Sequence, residues 1–191
     1  NLRRKGKKRL PSRSPEPLAV PVQVNHCWSM DFMHDALRCS RKFRTFNVVD
    51  DFNREALAIE IDLNLPATRV IRTLERVVAW RGKPLKVRVD NGPEFISLAL
   101  AEWAEYNNVV LEFIEPGKPT QNSYIERFNR TYRHEVLDFY IFSTLTEVRD
   151  ITEKWLIEYN DERPHESLDD LSPWAFLAKQ DDRMNSNNSW H

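Results

Sequence analysis

The chain has 191 residues, of which 41% are hydrophobic, and its formal net charge is −1. This length suits one domain with tails, and since no apolar run is long enough for a membrane span or a signal peptide, we expect a cytoplasmic protein without a membrane partner. The two cysteines, Cys27 and Cys39, are too few for a disulfide framework or a four-ligand zinc site, and we expect free buried thiols.

The first segment in chain order is a basic arm, residues 1–20. Its first 17 residues contain seven basic residues and one acidic residue, a net charge of +6, whereas the remaining 174 residues carry 21 basic and 28 acidic residues, a net charge of −7. The arm has several prolines and almost no apolar residues, so it cannot form a core and we expect it to be flexible. Two interpretations stay open, a phosphate-binding arm or linker and a solvated tail. The cations that would contact DNA are Arg3, Arg4, Lys5, Lys7, Lys8 and Arg9.

Three strands are predicted next. Residues 25–33 form a short apolar run around Asp31, and residues 43–52 are rich in β-branched and aromatic side chains. Residues 56–62 alternate apolar and polar side chains with period two. Because the loops between these segments are short, the pattern favours an antiparallel meander.

Helices and strands alternate after the meander. Pro66 and Gly82 stand at the start and stop positions of an amphipathic helix. The following predicted elements are a strand at 85–89, a helix at 97–108 capped by Ser97, a strand at 109–116, a helix at 121–139 and a helix opened by the capping box Thr144 to Glu147. This order predicts an α/β fold with a five-stranded mixed sheet flanked by helices. The polar residues 178–191 are expected to be a disordered tail.

Residue counts exclude several kinds of site. The four glycines are too far apart for a phosphate-cradling glycine-rich loop. The five histidines are scattered without the spacing of metal ligands, and neither cysteine lies in a context that activates a thiol. Carboxylates remain as the candidates for chemistry.

Two acidic residues occupy positions around predicted strands where a carboxylate is informative. Asp31 lies inside the apolar run WSMDFM, where a buried carboxylate is costly unless it is paired or binds a metal. Asp90 ends the strand at 85–89 and begins Asp-Asn-Gly-Pro, a string that is typical of a turn. The sequence around Asp90 is compatible both with an ordinary turn and with a functional carboxylate at this position.

The third acidic residue, Glu126, lies in the predicted helix 121–139. At 100° per residue, one face of this helix is apolar. The predicted apolar stripe is Ile125, Phe128, Tyr132, Val136 and Phe139. A quarter turn away lie Asn122, Glu126, Asn129, Arg130 and Arg133. Glu126 is therefore expected at the edge of the buried face, among groups that suit phosphate and metal.

Asp31, Asp90 and Glu126 are expected to converge at one edge of the sheet. Three unpaired carboxylates would repel one another, so the arrangement favours a cation site. Oxygen ligands select hard ions, which predicts two Mg²⁺ ions with Mn²⁺ as a substitute. Two such ions promote displacement at a phosphodiester, as in nucleases and polynucleotidyl transferases.

The same residues resemble the DDE catalytic triad of retroviral integrases and of a large group of bacterial insertion-sequence transposases, the OrfB type. Thirty-five residues lie between Asp90 and Glu126, and Arg133 follows where that family usually has Lys or Arg. The segments that resemble successive blocks of the family's catalytic core are WSMDF, VVDDFNRE, RVDNGPEF, PGKPTQNSYIERFNRTYRHE and YNDERPHESLDDLSP. The resemblance covers about residues 20–177.

The resemblance implies a ribonuclease H-like fold, with a catalytic core at residues 21–177. It implies a transposase that cleaves a strand at transposon ends and joins the 3′-OH to another phosphodiester. Asp31 would then bridge both metal ions, Asp90 would hold one and Glu126 the other. The implied partners are DNA, at the transposon ends and the target, and further copies of the chain on that DNA, in the bacterial cytoplasm at the nucleoid.

The resemblance also implies a set of DNA contacts. Those near the active site or after the last predicted helix are Asn122, Asn129, Arg130, Arg133, Arg163 and His165. Tyr159 and Asn160 would support or contact DNA from that helix. Arg163 and His165 have a structural alternative, since they are placed to cap the helix or fix the chain before Pro164.

Two alternatives to a transposase core stay open. One is a DNA-binding or assembly module whose catalysis has lapsed, which the three intact acids disfavour. The other is a ribonuclease H-like nuclease that only hydrolyses, since hydrolysis and strand transfer use the same carboxylates. Family members usually carry a helix-turn-helix segment before the core, and we expect the basic arm to be the linker from such a segment.

Overall fold

The computed structural model describes residues 21–115 and 119–188, so the basic arm lies outside the described residues. Five strands form one sheet in the order β3-β2-β1-β4-β5. The strands are β1 (Cys27–Ala36), β2 (Lys42–Asp50), β3 (Ala56–Asp62), β4 (Lys86–Val89) and β5 (Val110–Phe113). The helices are α1 (Ala67–Arg81), α2 (Leu98–Asn107), α3 (Ser123–Tyr132), α4 (Leu145–Asp161) and α5 (Pro173–Asn188). The predicted element order and the mixed sheet flanked by helices are confirmed.

The sheet combines an antiparallel half and a parallel half. β1, β2 and β3 pair antiparallel as the predicted meander, whereas β4 pairs parallel with both β1 and β5. Parallel neighbours need a crossover, and α1 and α2 supply the two crossovers. β1 is therefore a central strand, and Cys27, Trp28, Ser29, Met30 and Met33 are buried, whereas His34 and Ala36 near its end are exposed.

Each face of the sheet carries its own hydrophobic core. Trp28 and Met30 of β1 belong to the core under α1 and α2, whereas Met33 belongs to the core under α3 and α4. Successive side chains of a strand alternate between faces. Asp31 is therefore placed on the α3 face, and α3 contacts both β1 and β2.

Short polar signals in the sequence set the helix ends. The Ser97 side chain accepts a hydrogen bond from the Leu100 amide at the start of α2, and Thr144 accepts one from the Glu147 amide at the start of α4. α1 ends at Gly82, whose φ of +88° is a conformation that side chains with a Cβ avoid. These caps confirm the predicted boundaries of all three helices.

The predicted continuous helix at 121–139 is wrong in its last part. The α-helical segment ends at Tyr132 and continues as a π-helical turn, Arg133–Leu137. A π-turn holds one more residue than an α-turn, so the buried stripe changes phase. Leu137 is 4% exposed, whereas Phe139, predicted to be in the stripe, is 72% exposed.

Two further expectations differ from the structure. The disordered tail predicted from residue 178 is instead the continuation of α5 to Asn188, with residues 189–191 outside the described part. Ala178, Lys179 and Gln180 are good helix formers that extend α5 from its packed start.

Cys27 is buried as expected, but Cys39 is exposed because it lies in the β1–β2 turn. Among the described helices, none has both the length and the apolar character to cross a membrane.

Candidate active site

Asp31 lies in the middle of β1, on the face covered by α3. Its Oδ1 accepts a hydrogen bond of 2.7 Å from the Phe32 amide, and its Oδ2 accepts one of 2.7 Å from Asn129 Nδ2 on α3. The carboxylate is therefore held from both its own strand and the helix above it.

Asn129 is itself oriented by a second asparagine. Asn47 is the cross-strand partner of Asp31 on β2, and its Nδ2 donates a 2.7 Å hydrogen bond to Asn129 Oδ1. Both asparagines are buried. Because Asn129 Oδ1 accepts from Asn47, its amide nitrogen is the atom that points to Asp31. The pair therefore acts as a positioning device for the Asp31 carboxylate.

Asp90 follows β4 at the same end of the sheet. The parallel register pairs Ser29 with Arg88, and Asp31 and Asp90 each stand two residues further along their chains. Asp90 Oδ1 accepts a 2.9 Å hydrogen bond from the Gly92 amide, as expected for an Asp-led turn. A Cβ on Gly92 would lie 2.8 Å from that oxygen, so the turn needs glycine to leave the carboxylate in place.

Glu94 is a neighbouring acid with a different role. It forms a 2.6 Å ion pair with Arg44. Burial acts to raise the pKa of Glu94, but a backbone hydrogen bond and the contact with Arg44 outweigh it and hold the pKa below its usual value. Glu94 is therefore neutralised locally.

Glu126 stands in the first turn of α3 and is exposed. Its charge reaches Asp31: burial, followed by the negative charges of Asp90 and Glu126, raises the Asp31 pKa to about 6. The structure thus places Asp90 and Glu126 close enough for their charges to act on Asp31. Within residues 21–115 and 119–188, however, no three His, Cys, Asp or Glu side chains are grouped closely enough to hold a metal ion. The donor chemistry fits a hard cation, since oxygen ligands and unrelieved negative charge are what Mg²⁺ requires.

The predicted DNA contacts of α3 surround these acids only in part. A shallow depression of about 320 Å³ contains Asp31, Glu126, Asn129, Arg130 and Arg133. Arg130 is exposed at its rim. The Arg133 guanidinium instead pairs with Asp35 at 3.1 Å and donates a 2.7 Å hydrogen bond to the His34 carbonyl. Arg133 therefore also ties α3 to β1.

The remaining predicted contacts lie away from the depression. Asn122 is buried in the turn that precedes α3. The Arg163 guanidinium pairs with Glu135 of the π-turn, and the His165 ring packs edge-on against Tyr159 at 5.1 Å. Arg163 and His165 line a different cleft, on another flank of α3.

Asn160 is structural, because its side chain both accepts from the Ala56 amide and donates to the Ala56 carbonyl. Tyr159 is also buried in the core beneath α4. The residues most clearly missed from the sequence are Asn47 and Gly92. Asn47 carried a usable signal, a polar side chain inside the apolar strand FNVV, which is the same signal that singled out Asp31.

Comparison with known proteins identifies the family of the chain. Two family profiles, both described as Integrase core domain, match residues 21–119 and residues 107–173. An uncharacterized protein of insertion element IS407 from Burkholderia multivorans is 44% identical over 93% of this chain and 64% of its own length. One of insertion element IS476 from Xanthomonas euvesicatoria is 40% identical over 93% of this chain and 51% of its own length. The chain thus spans only about half to two-thirds of these relatives.

Solved structures share the fold at low identity. The catalytic core domain of HTLV-2 integrase, in complex with magnesium, superposes with a TM-score of 0.66 at 18% identity, covering 81% of this chain and 97% of that one. A chain of the simian T-cell lymphotropic virus intasome gives a TM-score of 0.70 at 18% identity, covering 83% of this chain and 56% of that one. The predicted ribonuclease H-like fold is confirmed. The chain belongs to the Integrase core domain family.

Proposed function

We propose that this chain is the catalytic core of a DNA transposase, which cleaves a strand at transposon ends and joins the 3′-OH to another phosphodiester. The observation that supports the proposal is the electrostatic coupling of Asp31 on β1 to Asp90 at the end of β4 and to Glu126 on α3, in an Integrase core domain. Relatives from two insertion elements, similar over 93% of the chain, support a role in transposition.

Asp31, Asp90 and Glu126 are the proposed ligands of two Mg²⁺ ions, with Mn²⁺ as a substitute. Asp31, whose charge is coupled to both other acids, would serve both ions, while Asp90 and Glu126 would each hold one. When bound, the ions would lower the barrier to displacement at a phosphodiester by activating the attacking oxygen and neutralising charge on the leaving oxygen. The Asp31 pKa, which is raised first by burial and then by the charges of Asp90 and Glu126, supports a cation here, because a cation would stabilise the charged carboxylate.

The chain's own residues contribute orientation and positive charge. Asn129, fixed by Asn47, directs the Asp31 carboxylate, and the glycine turn directs Asp90. Arg130, exposed at the rim of the depression, is the proposed contact to a DNA phosphate. Arg133 shares its charge with Asp35, so we assign it first to holding α3 and only second to DNA.

The proposed partners are transposon-end DNA, target DNA and further copies of the chain. Joining two DNA ends to a target needs more than one active site, which favours a homo-oligomer on DNA. The bacterial sources of the relatives support action at the nucleoid.

The test combines the chain with a labelled oligonucleotide duplex bearing free 3′-OH ends, a supercoiled plasmid and Mg²⁺ or Mn²⁺. Nicked plasmid reports hydrolysis, and label joined to plasmid reports strand transfer. Asp90→Asn is expected to abolish both products. Glu94→Gln is the matched control, because Glu94 is a nearby acid paired with Arg44, and it is expected to keep both.

The two alternatives give different products in the same tubes. Nicking without joining would favour a nuclease that only hydrolyses. Equal inertness of the wild type and Asp90→Asn, with both folded, would favour a module whose catalysis has lapsed.

A further inference from the structure

A second cleft lies on a different flank of α3 from Glu126. It has a volume of about 430 Å³ and is formed by α3, the β2–β3 turn and the segment after α4. Tyr124, Arg127 and Thr131 of α3 line this cleft, whereas Glu126 and Arg130 line the depression at the active site. At 100° per residue the mean directions of these two sets differ by about 110°, so they project from two different flanks of one helix.

The floor of the cleft holds a buried guanidinium with unused donor capacity. Arg54, in the β2–β3 turn, is 9% exposed, and its Cζ lies 3.8 Å from the centre of the Tyr124 ring. Its Nη1 is buried without a hydrogen-bond partner. Asp51, the nearby acid, is already bound by Ser29 and Arg88 at 2.6 and 2.8 Å. A buried cationic donor left without an acceptor is costly, which indicates that an anion completes it.

Other groups make the cleft electropositive. Arg127 is exposed at its mouth, and Arg163 stands at the far wall beside Glu135. His165 Nε2 is also buried without a partner. Burial, followed by the positive charges of Arg163, Arg54 and Arg127, lowers the His165 pKa to about 4. Among the described residues that line the cleft, the acid is Glu166. Ser123 and Ser167 add hydroxyl groups that can donate to an oxyanion.

We propose that this cleft binds a backbone phosphate of a DNA strand, with Arg54 and Arg127 as its charged contacts and Tyr124 as the residue that positions Arg54. This inference rests on the proposed function, since it takes the strand to be one that also passes the three acids. The two flanks are separated by at most the diameter of the helix, about 10–12 Å. That distance equals about three nucleotides at roughly 3.4 Å each along one strand. One strand crossing α3 therefore reaches both the cleft and the active site.

Binding is measured with the full 191-residue chain and a fluorescein-labelled DNA duplex, by anisotropy in EDTA so that no cleavage occurs. The test variant is Arg54→Gln with Arg127→Gln. The matched control is Arg72→Gln with Lys83→Gln, which removes the same charge from exposed residues in and just after α1, on the other side of the sheet. We expect the test variant to bind about tenfold or more weakly, and its salt slope to fall by about one to two. The control should change both quantities much less.

Equal affinity and salt slope in the test and control variants would overturn the inference. Since Arg54 is buried, its replacement risks misfolding, so Arg127→Gln alone provides an exposed second variant that should lose part of the affinity. A measurement on the unmodified chain is independent of folding defects. DNA that carries bromodeoxyuridine should photocrosslink to the peptide that contains Tyr124, and crosslinks confined to other peptides would count against the cleft.

Two comparisons keep the outcomes separate. If binding depends on Arg54 and Arg127 while the wild type and Asp90→Asn are equally inert, the cleft stands and the transposase proposal fails. If cleavage depends on Asp90 but DNA affinity is unchanged when Arg54 and Arg127 are replaced, only the cleft inference fails. Polyglutamate that competes as well as DNA for the wild type, but not for the test variant, would assign the cleft to an acidic peptide and overturn the DNA assignment.

Discussion

At the candidate active site, Asp31 is held in a position where its charged form is destabilised. Asp31 is a carboxylate in a central strand, and burial together with Asp90 and Glu126 raises its pKa to about 6. Its two hydrogen bonds offset part of the desolvation of the charged form. Such a group is expected where function, and not folding, determines the residue.

The asparagine pair gives the first prediction at this scale. Asn129→Ala removes a hydrogen bond from Asp31 and leaves the buried Asn47 amide without its acceptor. We expect the free energy of unfolding to fall by about 1–3 kcal/mol in urea denaturation, because buried donors left unpaired are costly. DNA cleavage should fall further than this instability explains. Asn107→Ala, which removes one side-chain hydrogen bond within α2, is the control for cleavage. Equal cleavage by the two variants would rule out a positioning role.

Two of the four glycines, Gly92 and Gly82, give a contrasting pair of predictions. In Gly92→Ala the new Cβ would lie 2.8 Å from Asp90 Oδ1, so the carboxylate must move. Since a displacement of about 1 Å can cost about 100-fold in rate, we expect a large loss of cleavage with a small loss of stability.

Gly82→Ala should do the reverse of Gly92→Ala. Its φ of +88° and ψ of 174° strain any residue with a Cβ by about 1–3 kcal/mol, but it lies at the end of α1 away from the acids. Thermal unfolding and plasmid nicking measured on both variants test the contrast. A rate loss that tracks the loss of stability in both would contradict it.

At the scale of elements, local sequence signals predicted the strands and most helix ends correctly. Helix caps at Ser97 and Thr144 act within one turn, so they are visible in the sequence. The π-turn Arg133–Leu137 is not, because long-range contacts hold it. Glu135 accepts hydrogen bonds from Trp155 and Arg163, 20 and 28 residues away. Arg54 escaped prediction for the same reason, since its cleft is built from segments distant in the chain.

The segment after α4 gives a pH prediction. His165 titrates at about 6.5 when unfolded and at about 4 in the fold, where burial and the charges of Arg163, Arg54 and Arg127 disfavour its protonated form. A lowered pKa means that the unfolded state binds the proton first as pH falls. The contribution of neutral His165 to stability is therefore complete above about pH 6.5 and is lost between about pH 6.5 and 4.

His165→Gln isolates this contribution from the other titrating groups. The difference in unfolding free energy between wild type and variant should be constant above about pH 6.5 and should move against the wild type as the pH falls to about 4. Urea denaturation of the wild type and the variant across this pH range measures the difference in unfolding free energy. A difference that does not change with pH would show that His165 is solvated in the folded protein.

At the scale of the whole molecule, the site depends on which strands are neighbours. Asp31 and Asp90 lie at the shared end of β1 and β4 because these strands pair, and the charge of Glu126 acts on Asp31 because α3 packs on β1 and β2. Hydrophobic periodicity predicts the strands but leaves the order β3-β2-β1-β4-β5 open, since β1 and β4 are joined through two other strands and a helix. The positions of the three acids in the residue pattern suggested that they converge at one edge of the sheet, and the resemblance to integrases added an independent reason to expect it.

A cation bound by all three acids would link these elements and stabilise the whole fold. At a Mg²⁺ concentration 100 times the dissociation constant, stabilisation of the native state is about 2.7 kcal/mol. The melting temperature of the wild type should therefore rise with Mg²⁺. The difference in stability between Glu126→Gln and the wild type should change sign between EDTA and Mg²⁺. In EDTA it removes repulsion on Asp31 and should be no less stable than the wild type, whereas in Mg²⁺ the wild type should be more stable.

Proton competition sharpens this test. A metal ligand must be deprotonated, and Asp31 has a pKa of about 6, so the gain from Mg²⁺ should be full above that pH and shrink below it. Glu102→Gln, an exposed acid on α2, is the control and should respond to Mg²⁺ as the wild type does. If Glu126→Gln and Glu102→Gln gained equally from Mg²⁺, Glu126 would not be a ligand. The metal would then have to bind through Asp31 and Asp90 alone, at the shared end of β1 and β4.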